Sequence, residues 1–296
     1  MRLGLLFMIV DSMPHEQLWK EWLDSRKARA WVHAKHPDVV TSPWIRRRLL
    51  RTPWTPEWGS IELVHVMMAL VRAALAVPSV THVQFLSETC VPVHKLSDTL
   101  SCLQEDTSWL DVMDRPNNGY SALRQFSRVQ RPGRVLKCDQ WTLLARPHAQ
   151  RVLDVYDQDP NLTEFRHVQA ADEIFVPTAL QPQPGVDRVR PVKAVYVDWS
   201  VSCKHPREFT HAEGPAALAR ARALGALFLR KVPDALGAAA WDAWRQCAQA
   251  PPAHAARTFS ILDPGGPVSD LTDEWVDEAS DRLRSTRRTL RMFLPL

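Results

Sequence analysis

In the stretch VQAADEIFVPTALQ, Asp172 and Glu173 stand directly before the apolar run 174–177. Carboxylates in that position either cap a short helix, with the helix dipole in their favour, or one of them is drawn partly out of water and becomes a base. Arg230 and Lys231 end a second apolar run, LGALFL. They are either a solvated surface pair or two fixed cations aimed at the carboxyl edge of a sheet, where open α/β sheets bind ligands. The usual phosphate cradles are missing: there is no GxGxxG and no GKS or GKT, and the chain has only ten glycines. HExxH and GxSxG are missing too, which removes the signatures of zincins and the common serine hydrolases. No Asp-x-Asp follows the run THVQFLS, and SETCVPV stands there instead.

The elements that must carry these groups alternate in type. LGLLFMIV reads as a buried strand, HEQLWKEWLD as a helix with Leu18, Trp22 and Leu23 on one face, and ARAWVH as a second strand. SIELVHVMMALVRAALAV is apolar on nearly every side and stops at Pro78, which predicts a buried helix. THVQFLS and KAVYVDW read as further strands, and DRPNNGYS, VQRPGR and QPQPGVDRVRP as turns and loops. Such alternation predicts an α/β sandwich with a mixed, mostly parallel sheet. The final segment, LTDEWVDEASDRLRSTRRTLRMF, places acids early and arginines late and is expected to be a packing helix.

At 296 residues with 45% apolar side chains, the chain can bury a large core. A net charge of +4 suits a small anionic ligand and falls short of a duplex-binding stripe; the best nucleic-acid candidate, WIRRRLLR, reads as surface. Twelve Trp offer flat faces to sugars, bases or the core alike. Five widely spaced cysteines without CxxC indicate neither a zinc knuckle nor a disulfide framework, and point to a reducing compartment. The first apolar run is too short to span a bilayer and ends at Asp11 and Pro14 without a cleavage site.

In order along the chain, TPEWGSIELVHVMMALVRAAL, HVQFLSETCVPVHK, KCDQWTLLARPHAQRVL, ADEIFVPTAL, VYVDWSVSCKHPREFT and ALFLRKVP resemble the blocks of the core-2/I-branching glycosyltransferases. That family includes branching N-acetylglucosaminyltransferases, peptide O-xylosyltransferases and a plant group. The resemblance covers roughly residues 1–235 and departs from the family in FLRKV, which lacks the usual phenylalanine-alanine-arginine-lysine-phenylalanine, and in the absence of an anchor and stem.

The resemblance implies a glycosyltransferase-A-like, Rossmann-like α/β/α sandwich that transfers a sugar from a UDP-sugar with inversion and without a metal. It places the general base on Glu173 and the donor diphosphate on Lys231, with Arg230 beside it. Around the donor it implies His33, Trp58, Gly59, Ser87 and Glu88, and around the acceptor Trp199, Asp198, Gln140, Trp141 and Lys137. Chemistry is consistent with those types: a partly desolvated carboxylate can take a hydroxyl proton, and a departing diphosphate without a divalent ion needs fixed cations.

The expectation is therefore a single domain over 1–296. Residues 1–130 form the nucleotide-sugar half, 131–235 the acceptor half and 236–296 a helical extension. The sugar is xylose, N-acetylglucosamine or glucuronic acid, the acceptor is a glycan or glycoprotein, and no nucleic acid partner, transmembrane segment or resident cofactor is expected. The missing anchor suggests a cytoplasmic enzyme, or a Golgi enzyme if the anchor has been removed. A non-catalytic nucleotide- or carbohydrate-binding protein that keeps the fold is the alternative, and an RNA-binding protein a third.

Overall fold

The computed structural model describes residues 1–23, 26–112, 135–168, 170–180, 188–201 and 205–234. Outside them lie DRPNNGYS, VQRPGR, most of QPQPGVDRVRP, Cys203, Cys247, the proposed final helix and the whole extension after residue 234.

The run LGLLFMI becomes strand β1, Leu3–Ile9, buried along its whole length. An unbroken apolar strand needs cover on both faces, and β1 has it. Leu3, Leu5, Phe7 and Ile9 enter one core, while Leu6 and Met8 enter the other. β1 pairs in parallel with β2, Ala28–Ala34, and with β3, His82–Ser87. Glycine is required within β1 at position 4, where a Cβ would come within 3.2 Å of the Trp31 ring and 3.3 Å of Val83. Beyond β3 the sheet turns antiparallel through β6, Leu143–Ala145, to β5, Ser108–Trp109, and ends at β7, Val189–Arg190. The order is β2-β1-β3-β6-β5-β7.

Three helices cover one face. The apolar run after Gly59 forms α3, Glu62–Leu75, which buries eight residues including Val64, Met67, Leu70 and Val71. The Arg146 guanidinium donates to the carbonyls of Leu75, Val77 and Val80, satisfying acceptors at the end of α3. Arg146 also begins α5, Arg146–Gln158, and α6, Asp172–Ala179, lies in the same core. On the opposite face, α1, Glu16–Trp22, buries Leu18, Trp19 and Trp22, and Trp19 meets Phe7 edge-on at 5.0 Å. Two short helices, α2 (Pro43–Arg46) and α4 (Leu96–Cys102), and the amphipathic α7 (Gly214–Ala223) complete the described helices.

KAVYVDW reads as a strand, and LGALFL as an apolar run aiming Arg230 and Lys231 at the sheet's carboxyl edge; they supply β8, Val195–Val197, and β9, Phe228–Arg230, to a three-stranded sheet with β4, Val91–Pro92, separate from the central one. Phe228 and Leu229 pack with Trp19 and Trp22 in the α1 core, so β9 has its own apolar partners and does not join the central sheet. Among the described residues no helix is long and apolar enough to cross a membrane.

Candidate functional site

Parallel strands β1, β2 and β3 end in register, with Met8 opposite both His33 and Ser87. Just past β3 the chain tightens. The Ser87 hydroxyl meets the Thr89 hydroxyl at 3.0 Å, the Cys90 amide donates to the Ser87 carbonyl, and the Cys90 thiol is fully buried. Burial pushes that thiol up, which removes it as a nucleophile.

Strand β9 delivers Arg230 to this strand end. Its Nε donates to Ser87 Oγ at 3.3 Å, and its guanidinium lies 4.6 Å over the Trp141 ring. The neighbouring backbone is bracketed. The Val232 amide donates to the Thr89 carbonyl and the Phe209 amide to the Lys231 carbonyl, while the His15 ring contacts the Val232 carbonyl at 2.7 Å. Lys231 Nζ holds Glu208 at 2.7 Å. Glu88 lies in the field of Arg230 and Lys231. Burial raises its carboxyl, the two cations oppose that, and Asp11 adds to it.

The second half of the site is built on α6. Ala170 sits at φ 57 and its amide donates to the carbonyl of Gly59, itself at φ 71, so the turn before α3 holds the turn before α6. The N-cap is Ala171, which corrects the reading of Asp172 as the cap. Asp172 is the first helical residue; its side chain is buried, with Oδ1 unpartnered. Burial, reinforced by Glu173, pushes its carboxyl up to about 7. Glu173 is better placed for chemistry. Its side chain is 26% exposed, and Oε2 meets Lys137 Nζ at 2.7 Å. Burial raises its carboxyl while Lys137 works against that rise.

Lys137 comes from the block KCDQW, and the Cys138 amide in that block donates to the Glu173 carbonyl at 2.9 Å. Sequence reading missed three charged residues that lie behind it. Lys193 Nζ reaches Asp139 at 3.1 Å and Asp111 at 3.6 Å. Burial would raise Asp139, but Lys193, Lys137 and Arg230 together hold it below its usual value. Asp139 therefore lies within the influence of both the Glu173 side and the Arg230 side. Its place two residues after Lys137 in an extended segment was the available signal. Lys193 carried none.

The structure thus brings Glu173 and Lys137 together, and Arg230 with Ser87 and Trp141, with Glu88 and Lys231 alongside. Gln140 touches Met8 Sδ at 4.0 Å, at the row where the three strands end. Other expected residues have different engagements. His33 is buried, its ring at 3.2 Å from the Trp54 carbonyl, and burial lowers its basicity so that it stays neutral. Asp198 Oδ1 accepts from the Ser200 amide at 2.8 Å, an Asx-type turn, and its carbonyl accepts from Arg207. Trp58 and Trp199 are 69% and 42% exposed. Among the described residues no three of His, Cys, Asp and Glu gather as a metal-holding group.

Comparison with known proteins completes the picture. Residues 9–223 match the core-2/I-branching enzyme family. Glycosyltransferase BC10 of Oryza sativa subsp. japonica is 24% identical over 162 residues, which is 52% of this chain and 40% of that protein, so the match spans about two fifths of the relative's length. Glu173, Lys137 and Ser87 fall inside the matched segment, and Arg230 and Lys231 lie beyond its end. Mixed α/β layering around a largely parallel sheet is the glycosyltransferase-A-like architecture of that family, and the chain belongs to the core-2/I-branching enzymes, a family of glycosyltransferases.

Proposed function

We propose that the chain transfers a sugar from a UDP-sugar to a hydroxyl of a glycan or glycoprotein, with inversion and without a metal. The supporting observations are a half-buried Glu173 on α6, engaged by Lys137, and Arg230 fixed at the carboxyl end of β3 through Ser87. Glu173 takes the proton of the attacking hydroxyl, its basicity raised toward neutral pH by burial. The hydroxyl attacks the anomeric carbon from the face opposite the nucleotide. Arg230 and Lys231 meet the charge that grows on the departing diphosphate, which displaces Glu208 from Lys231. Xylose, N-acetylglucosamine and glucuronic acid are the candidate sugars, because pocket shape and not motif decides among them. On the sequence ground of five widely spaced cysteines without CxxC, we place the enzyme in the cytoplasm.

A specific observation also favours a second reading. Glu173 and Lys231 both stand in ion pairs, with Lys137 and Glu208, as they would in a nucleotide-binding protein that no longer turns over. Donor hydrolysis across a panel of UDP-sugars in EDTA separates the two. Turnover in chelator that falls roughly a hundred- to ten-thousand-fold in Glu173→Gln supports the transferase. UDP binding with no turnover of any donor supports the binder, and turnover that stops in EDTA and returns with a divalent ion overturns the metal-independent step.

A further inference from the structure

The charges around Glu173 continue past Lys137. Lys137, Asp139, Lys193 and Asp111 alternate in sign behind the Glu173 carboxylate and come from three separate stretches of chain, at residue 111 after β5, at 137–139 and at residue 193 before β8. Two independent contacts fix the first pair to each other: Lys137 Nζ on Glu173 Oε2 at 2.7 Å, and the Cys138 amide on the Glu173 carbonyl at 2.9 Å. A lysine is a point charge on a long flexible stem and does not orient a carboxylate unless something restrains it. Its own side chain is only 14% exposed, and the charge of Asp139 acts on it together with that of Glu173.

We propose that Lys137 is a positioning residue for Glu173, held in place by the Asp139–Lys193–Asp111 chain, and is not a ligand of either substrate. The proposal rests on Glu173 being the base. With Oε2 engaged by the ammonium, Oε1 is the oxygen that receives the acceptor proton. The ammonium also counters the burial that raises this carboxyl, and so favours its ionised, basic form. Lys193 has a matching task. It keeps Asp139 and Asp111 from drawing Lys137 away from Glu173, and it adds positive charge of its own near the base. The groups facing Glu173 are Lys137, Asp139 and Lys193, with Asp172 beside it on α6 and the Cys138 thiol next to Lys137.

Lys137→Met and Lys193→Met test this in the full chain, by steady-state kinetics with the UDP-sugar the protein turns over and by carboxyl-carbon NMR titration of Glu173. The base must be ionised, so removing either cation raises its pKa and moves the acid limb of kcat to higher pH. The shift expected for Lys137→Met is roughly one to three pH units, with a smaller shift in the same direction for Lys193→Met. KM for the donor stays within about twofold, since only the chemical step loses an interaction, and Lys137→Arg restores the limb. A raised KM with an unmoved limb in Lys137→Met makes Lys137 a substrate ligand and overturns the proposal. A lowered melting temperature with an unmoved limb in Lys193→Met makes the chain behind it structural only and overturns that part. Full turnover in Glu173→Gln instead overturns the assignment of the base, and the NMR shift of the Glu173 carboxyl in Lys137→Met tells these failures apart, because it does not depend on turnover.

Discussion

Asp172 and Glu173 are neighbours in sequence and occupy different environments. Asp172 points inward, with a carboxyl held up to about 7 by burial and by Glu173. The folded protein therefore favours the protonated acid. Its contribution to stability is fully present below the unfolded value of 3.8 and is lost as pH rises through about 7. The loss is of the order of a few kcal/mol. Urea unfolding should show Asp172→Asn, which keeps the shape without the charge, gaining stability relative to wild type as pH rises from acid to neutral. Equal pH dependence in the two proteins would contradict the burial of this carboxyl. Sequence posed this pair as cap or base, and the structure answers differently for each member. The cap is Ala171, because the chain enters α6 from the left-handed turn at Ala170, and a carboxylate one position further along faces the core. No residue type in the sequence announces that half-turn of difference.

At the scale of elements, legibility followed length. β1 and α3 could be read because their apolar runs are long and largely buried, and β3 lies in register beside β1, its polar His82, Gln84 and Ser87 buried as well. β5 and β7 are two residues each and show no period to read. The small sheet escaped reading for a related reason: β8 and β9 look like interior strands, and only tertiary contact with α1 reveals which core claims them. The site shared this limit. Glu173, Lys137, Ser87 and Arg230 came from sequence blocks, whereas Asp139, Lys193 and Asp111 meet only through the fold. Gly59 marks a joint between elements, since at φ 71 it holds the Ala170 amide ahead of α6. Gly59→Ala must place a Cβ in the left-handed region, at about 1–2 kcal/mol. Thermal unfolding should register that cost. Turnover should fall further than stability does, because the strained turn is the one that aims Glu173.

At the scale of the molecule, the two working halves of the proposed site are moored to opposite faces of one sheet. Ile174, Phe175 and Val176, beneath Glu173, belong to the core with α3 and α5. Phe228 and Leu229, beneath Arg230, belong to the core with α1. Trp141 borders both, and Arg230 stacks on it. In the proposed reaction the central sheet would therefore act as a spacer between the Glu173 side and the Arg230 side of the site. Trimming Val176→Ala slackens one side of that spacer and Leu229→Ala the other, each costing about 1–4 kcal/mol. With the sites in separate cores, the two losses should add in unfolding free energy. Turnover should not follow the same arithmetic, because both substitutions act on one site.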